Sequence, residues 1–375
     1  DTSSSTTAID LDDIVSRQAT TVPELLDTVP NVSLVNGATP QGSAVTIRGL
    51  GATTDFYGTT GQVAVSVDGI SNGAEEIYRN GAAFMLDPEL FKQVTVTRGP
   101  SGSFSIGSGL IGGTIELETK DASDFVDDGD TFAFRQRLGY ESKGDGFRSA
   151  TTLAFAPSEQ FDLLLSYSYS EVDDREDGDG NQQLFTGYKR SAALLKANYN
   201  VRDEDRLTFS AIYNNIPERD VVYSAFSPTF STVNVDRDLI DTTAYAEVNY
   251  NPSDNNLIDL TGRIEFKQED VTITPVNPAD DGGSLYPIAH ESEQLSVRLE
   301  NRSLFTTGTA SHDLLVGLQV GQRTRRALQA STGFCSSSAP CGDRDFVALY
   351  IIDEIEVNDR LTLPPQLRIE TQTME

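Results

Sequence analysis

The alternation of apolar and polar positions changes character near Asp130. Before it, the chain is Gly-rich, with short apolar groups of both helical and strand spacing. After it come strand-length segments in which apolar and polar residues take turns. Within residues 161–169, Phe161, Leu163, Leu165, Tyr167 and Tyr169 share one face. Within residues 257–267, Ile258, Leu260, Ile264 and Phe266 oppose Asp259, Thr261, Arg263, Glu265 and Lys267. Leu295, Val297 and Leu299 oppose Ser296, Arg298 and Glu300, and Leu314, Val316, Leu318 and Val320 repeat the pattern. Such a period of two, apolar on one side and charged on the other, predicts strands between two different environments. Short connections fall near 157–160, 202–205, 252–256, 306–311 and 358–359; long ones span 174–186, 217–236, 275–291 and 327–343. Residues 142–146 are an exception, a short connection where a long one is due. The reading gives about eleven strands, in the short-and-long meander of an outer-membrane β-barrel.

The first 125 residues predict a small α+β domain. Asp10 is an acidic N-cap before Ile14 and Val15, and Thr21-Val-Pro-Glu24 is a capping box with Pro23 in the first turn. Asp87 and Pro88 open a further capped turn. Short strands are expected over residues 44–48, 63–68, 93–98 and 114–119.

Composition sharpens this picture. Only 38% of the 375 residues are hydrophobic, low for a globular core but natural for a wide barrel whose strands show half their residues to a polar lumen. The net charge of -29 offers no basic field to nucleic acid, and suits solvated loops and strand faces. No run of about 18 apolar residues predicts a transmembrane helix. No signal peptide is visible at Asp1, so an exported chain is expected to be mature or truncated there. Cys335 and Cys341 enclose a Ser/Ala/Pro segment with no His nearby, which predicts a small disulfide loop in an oxidising compartment rather than a zinc site.

Three motifs follow one another ahead of the strands: Ile47-Arg48-Gly49, Val67-Asp68-Gly69-Ile70, and Arg98-Gly99-Pro100-Ser101 running on to Gly107-Ser-Gly-Leu-Ile-Gly112-Gly113-Thr114-Ile115. In this order and spacing they resemble the plug domain of TonB-dependent outer-membrane receptors. Asp87-Pro-Glu-Leu-Phe-Lys92 and the segment from Gly109 to Asp124 are similar to the haem and haemoglobin receptor branch. The resemblance implies a plug (residues 1–125) followed by an all-β transmembrane barrel (residues 126–375). It implies about twenty-two strands in all, so this chain is expected to hold a plug and about half a barrel, completed by further C-terminal strands. Arg48 and Arg98 are expected to lock the plug to glutamates on the barrel wall. The resemblance further implies the cell outer membrane and its lipid, and energy coupling through the TonB–ExbB–ExbD complex. The ligand would be haem, a haem protein or a ferric siderophore.

Other chemistry is sparse. Gly107-Ser-Gly109-Leu-Ile-Gly112 fits a dinucleotide fingerprint, but the residues after it alternate as a strand where that site needs a helix. No catalytic constellation is present, so a transporter rather than an enzyme is expected. Asp177, Asp179 and Asn181 open a calcium-loop pattern, yet Gln182 and Tyr188 occupy its later key positions. Iron in haem is held by His, Tyr or Met, and the first 125 residues contain no His. The resemblance implies ligation from the plug apex, where Tyr57, Tyr78 and Met85 are the candidates, and from a later loop beyond Glu375; Tyr286 and His290 are further candidates in an expected extracellular loop, and His312, at the periplasmic strand end, is expected to be structural. The sequence reading is uptake of haem or another iron complex by gated plug movement. The alternatives are a siderophore or other nutrient receptor of the same fold, or a surface β-protein for adhesion.

Overall fold

The computed structural model describes residues 5–35, 44–51, 62–72, 86–100, 104–127, 129–142, 144–202, 204–222, 234–277, 287–329, 334–335, 341–358 and 360–375. The small domain contains β1 (Ser5–Ile9), α1 (Leu11–Arg17), α2 (Val22–Leu26), β2 (Val32–Val35), β3 (Ala44–Ile47), β4 (Leu50–Gly51), β5 (Val63–Val67), β6 (Ile70–Asn72), β7 (Phe91–Arg98) and β8 (Gly113–Thr119). Five of its strands form a sheet in the order β1-β7-β8-β5-β6, with only β5 and β8 parallel, and β2, β3 and β4 form a second sheet.

The caps are those the sequence predicts, with one shift. Asp10 accepts from the Asp13 N–H at 2.9 Å, and Thr21 accepts from the Glu24 N–H at 3.3 Å. Glu24, however, reaches back to the backbone and hydroxyl of Thr20 rather than to Thr21. Gly113 follows the false fingerprint and opens β8 with φ of 137°. A Cβ there would stand 2.0 Å from the Thr97 carbonyl oxygen, so only glycine lets β7 and β8 approach so closely.

The wall begins at Phe132. Its strands are β9 (Phe132–Glu141), β10 (Gly146–Ser158), β11 (Phe161–Val172), β14 (Tyr188–Asn200), β15 (Arg206–Val222), β16 (Asn234–Tyr250), β17 (Leu260–Pro275), β18 (Pro287–Thr307), β19 (Ala310–Gln329), β20 (Gly342–Asn358), β21 (Leu361–Leu363) and β22 (Gln366–Met374). Two short strands, β12 (Arg175–Glu176) and β13 (Gln182–Gln183), pair as a hairpin within the connection from β11 to β14. Every neighbouring pair in the wall is antiparallel, with β9 and β22 near its two edges. Both β21 and β22 pair with β20, so they are one strand broken at Pro364 and Pro365, which have no N–H to give the ladder. Counted across the sheet, the wall therefore has the eleven positions of the sequence reading.

Its two faces differ as the alternation requires. Leu165, Tyr167, Ile264, Leu295, Val297, Leu318 and Ile369 are exposed on the outer side, while Ser166, Glu265, Lys267, Ser296 and Arg298 are buried on the inner side. The core of the small domain, with Ile14, Leu25, Leu26, Val94, Ile115 and Leu117, continues into Ala154, Leu164, Ala192, Leu194 and Ile212 of that inner side. The domain thus packs into the concave face of β10 to β15.

Strand length corrects the sequence reading at the long-loop end. From β9 to β14 the main strands have 10 to 13 residues, close to the ~10 that cross a bilayer. From β15 to β20 they have 16 to 21. Residues 217–222 and 287–291, expected in loops, are therefore strand. A bulge near Asp220, whose φ is 52°, lets β15 continue past Pro217. Inside the wall, glycines make room for rings on the next strand. Gly317 faces Tyr350 and Gly321 faces Phe346 in direct register, and a Cβ on either would fall 2.1 Å or 2.5 Å from the ring opposite.

Candidate functional site

The chemistry-bearing groups gather at the seam between the small domain and the wall. Along β9 to β15, the wall supplies cations and the domain supplies carboxylates. Asp87 caps its turn with one oxygen, which accepts from the Glu89 N–H at 3.0 Å. Its other oxygen takes the Ser168 hydroxyl at 2.8 Å and pairs with Arg190 of β14 at 3.2 Å. Arg190 also donates to the carbonyls of Leu86 (3.0 Å) and Thr20 (3.2 Å). Both charges are buried, and stripping one partner from such a pair costs about 3–5 kcal/mol.

Asp121 is the hub at the short-turn end. Lys92 stands 2.9 Å away, Lys196 of β14 at 3.2 Å and Arg206 of β15 at 3.5 Å, and Asn198 donates at 3.2 Å. Burial opposes its charge, but Lys196 and Lys92 outweigh burial and hold the carboxyl below its ordinary range. Glu89 pairs with Arg137 of β9 at 2.6 Å and with Lys120 at 3.6 Å. Burial lowers the pKa of Lys120 despite Glu89 beside it.

Along β16 to β22 the pattern changes. Arg298 pairs with Glu265 on the wall itself at 3.1 Å, and gives the domain one donation, to the Gly69 carbonyl at 3.0 Å. Arg263 pairs with wall Glu247 and donates to the Asp68 carbonyl. Lys267 pairs with wall Asp241 and donates to the side-chain amide of Asn72. Arg368 of β22 bonds wall Glu370 at 3.0 Å and the Phe104 carbonyl at 2.9 Å. Among the described residues, these four wall cations pair with wall carboxylates and meet uncharged acceptors on the domain.

The described half of the wall does not supply the partners expected for the Arg48 and Arg98 lock. Arg98 is buried inside the domain, where it donates to Ser5, Thr7 and the Pro30 carbonyl, and Arg48 is exposed with φ of 54°. Among the described residues neither meets a wall glutamate; the cations that cross the seam belong to the wall. Arg98 ends β7 beside edge strand β1, whose Ser5 and Thr7 hydroxyls accept from it. Sequence reasoning placed Arg263, Lys267 and Arg298 on the polar face but assigned them no partner. Basic residues recurring at inward positions of otherwise acidic strands were the signal for them.

The other candidates divide. Tyr57, Tyr78, Met85 and Tyr286 lie outside the described residues. His290 is in β18 instead of a loop, buried between its register partners Val271 and Ala327. His312 stacks on Phe305 with centroids 4.7 Å apart and bonds Asp353 at 2.9 Å, a structural role. Asp177 spends its carboxylate on its own turn, accepting from the N–H groups of Asp179 and Asn181, which lowers its pKa. Among the described residues no three His, Cys, Asp or Glu side chains are grouped to hold a metal. Cys335 and Cys341 are joined with their Cα atoms 5.7 Å apart, and the Ala327 N–H points at the Cys341 sulfur, fastening this loop to β19.

Residues 1–114 match the family model of the TonB-dependent receptor plug domain. Over 337 residues the chain is 27% identical to TonB-dependent heme receptor A of Haemophilus influenzae, covering 84% of this chain and 44% of that protein. The Serratia marcescens hemophore receptor HasR, solved with its hemophore HasA and heme, superposes with a TM-score of 0.79 at 20% identity, over 98% of this chain and 52% of that one. The Pseudomonas aeruginosa receptor FpvA, bound to a ferric pyoverdine, gives 0.72 at 15% identity, over 100% and 52%. The chain spans about half the length of the curated relatives it matches. A plug domain packed by buried ion pairs into a wall of antiparallel strands, together with these likenesses, gives residues 1–114 the plug domain of TonB-dependent receptors and the chain the fold of those receptors, with haem receptors among its relatives.

Proposed function

We propose that the protein takes a scarce nutrient across the outer membrane, haem or another iron complex, by gated movement of its plug. The observation that carries this reading is the seam. A folded domain held in a barrel wall by buried ion pairs blocks passage until it is displaced, and displacement against such pairs needs outside work. The TonB–ExbB–ExbD complex would supply that work. The plug would comprise residues 1–125 and the barrel would follow from 126. Two relatives, one named a heme receptor and one a hemin receptor, support haem as the cargo.

Tyr57, Tyr78 and Met85, expected at the plug apex, and Tyr286 and His290 are the proposed ligand residues. The test is a haemin titration of the receptor purified in detergent, followed by Soret absorbance. A saturable shift that is lost in Tyr57→Phe, Tyr78→Phe or Met85→Leu supports a haem receptor with a plug-side ligand. No shift removes haem and turns the search to ferric siderophores, the class of ligand that FpvA binds on the same fold.

A further inference from the structure

We propose that the outer face of the wall carries a binding groove for one acyl chain of an outer-leaflet lipid, running along β14. The inference rests on the reading of the wall as a barrel in the outer membrane and asks nothing of the cargo. The outward residues of β14 are recessed: Ser191, Ala193, Leu195 and Ala197 are half-buried. The strands on either side stand above them. In register, Ala193 lies between Tyr167 of β11 and Tyr213 of β15, which are 53% and 44% exposed, and Ala197 lies between Leu163 and Phe209. Leu195 is matched by Leu165 on one side but by Ala211 on the other, and Ala211 pairs in turn with Ala244, so the trough widens toward β16 there. The result is an outward-opening cavity of about 450 Å³ with an almost wholly apolar lining, its floor at Ala193 and Leu195. β11 and β15 are two strand spacings apart, about 10 Å, which leaves width between their side chains for one hydrocarbon chain. From Ser191 to Ala197 the strand rises about 20 Å, which at the ~40° tilt of barrel strands covers about 15 Å of depth, one leaflet. Tyr199 closes the trough at the short-turn end. The long-loop end gives it a polar mouth: Lys189 stands 3.5 Å from Glu171 and lies over the ring of Tyr169, whose hydroxyl donates to Glu171. Lys189 suits a phosphate, and Glu171 suits a hydroxyl or ammonium donor beside it, the composition of a phosphorylated lipid head group. A second copy of this chain would bring an equally convex face and would not reach the floor.

Native mass spectrometry of the full receptor reads the groove directly. The protein, purified in mild detergent, is incubated with dimyristoylphosphatidylglycerol, and the lipid molecules that stay bound once the micelle is stripped are counted. Ala193→Trp and Ala211→Trp fill the trough from two strands, so that a folding fault in one leaves the other to report. Val297→Trp adds the same ring to the outer face of β18, away from the trough. The expected result is one retained lipid in the native receptor and in Val297→Trp, with occupancy lowered about five-fold in either filled variant. Lys189→Gln should lower retention of dimyristoylphosphatidylglycerol several-fold and leave that of dimyristoylglycerol, which has no phosphate, unchanged. Retention as high in both filled variants as in the native receptor overturns the proposal, and so does an equal loss in Val297→Trp. A dimer that gives way to monomer in Ala193→Trp makes a second copy the occupant and overturns it too, as does retention of detergent alone. A receptor that stays in solution without detergent loses the membrane reading and the groove together. Loss of haemin binding with the lipid count unchanged removes the cargo and leaves the groove standing.

Discussion

At the scale of single residues, the seam turns on who holds the charge. Arg190→Met would strand the Asp87 carboxylate in a buried site, at a cost of about 3–5 kcal/mol. Thermal unfolding in detergent should show that loss, and Asp87→Asn added to Arg190→Met should recover much of it. Arg298→Met should cost the plug less, because Gly69 presents only a carbonyl. Asp121 adds a pH signature. Its carboxyl is held below the ordinary range, burial notwithstanding, by Lys196 and Lys92. Its contribution is therefore complete above the unfolded value, near pH 4, and is lost as pH falls through the lower folded value. The stability gap between the native chain and Asp121→Asn, measured by circular dichroism, should be wide at pH 7 and should close below that range. A gap that stays constant with pH would mean that the hub carries no net charge coupling.

At the scale of elements, the register of the wall makes its own forecasts. Val297 lies on the outer face of β18 and Gly317 on the inner face of β19. Val297→Arg should lower stability in a bilayer by about 2–4 kcal/mol if the residue sits near the midplane, and far less in detergent. Gly317→Val should destabilise through the Tyr350 ring, and Tyr350→Ser should relieve it, which a double-mutant cycle would read as strong coupling. The elements were legible because a two-residue period survives any local irregularity: Leu165, Val297 and Leu318 declared the outer face from sequence alone. What escaped was how far strands continue. Pro217 looked like a loop, but a bulge and a positive φ at Asp220 carry β15 onward, and His290 moved from loop to strand for the same kind of reason. Edge strand β1 was also missed, since residues 5–9 carry little apolar signal, and with it went the true partners of Arg98.

At the scale of the whole molecule, the plug motifs announced a domain inside a barrel, but no motif could announce which partner would bring the cations. That is a property of two surfaces that meet only after both have folded: Asp87 and Arg190 are 103 positions apart and each is unremarkable alone. The distribution has an electrical consequence. On β9 to β15 the plug is the counter-ion of the wall, and Arg137, Arg190, Lys196 and Arg206 depend on it for neutrality. A receptor from which residues 1–124 are deleted would expose that arc to the lumen as fixed positive charge. In a planar bilayer its open channels should carry chloride in preference to potassium under a salt gradient, and Arg190→Gln with Lys196→Gln should move the reversal potential back toward zero.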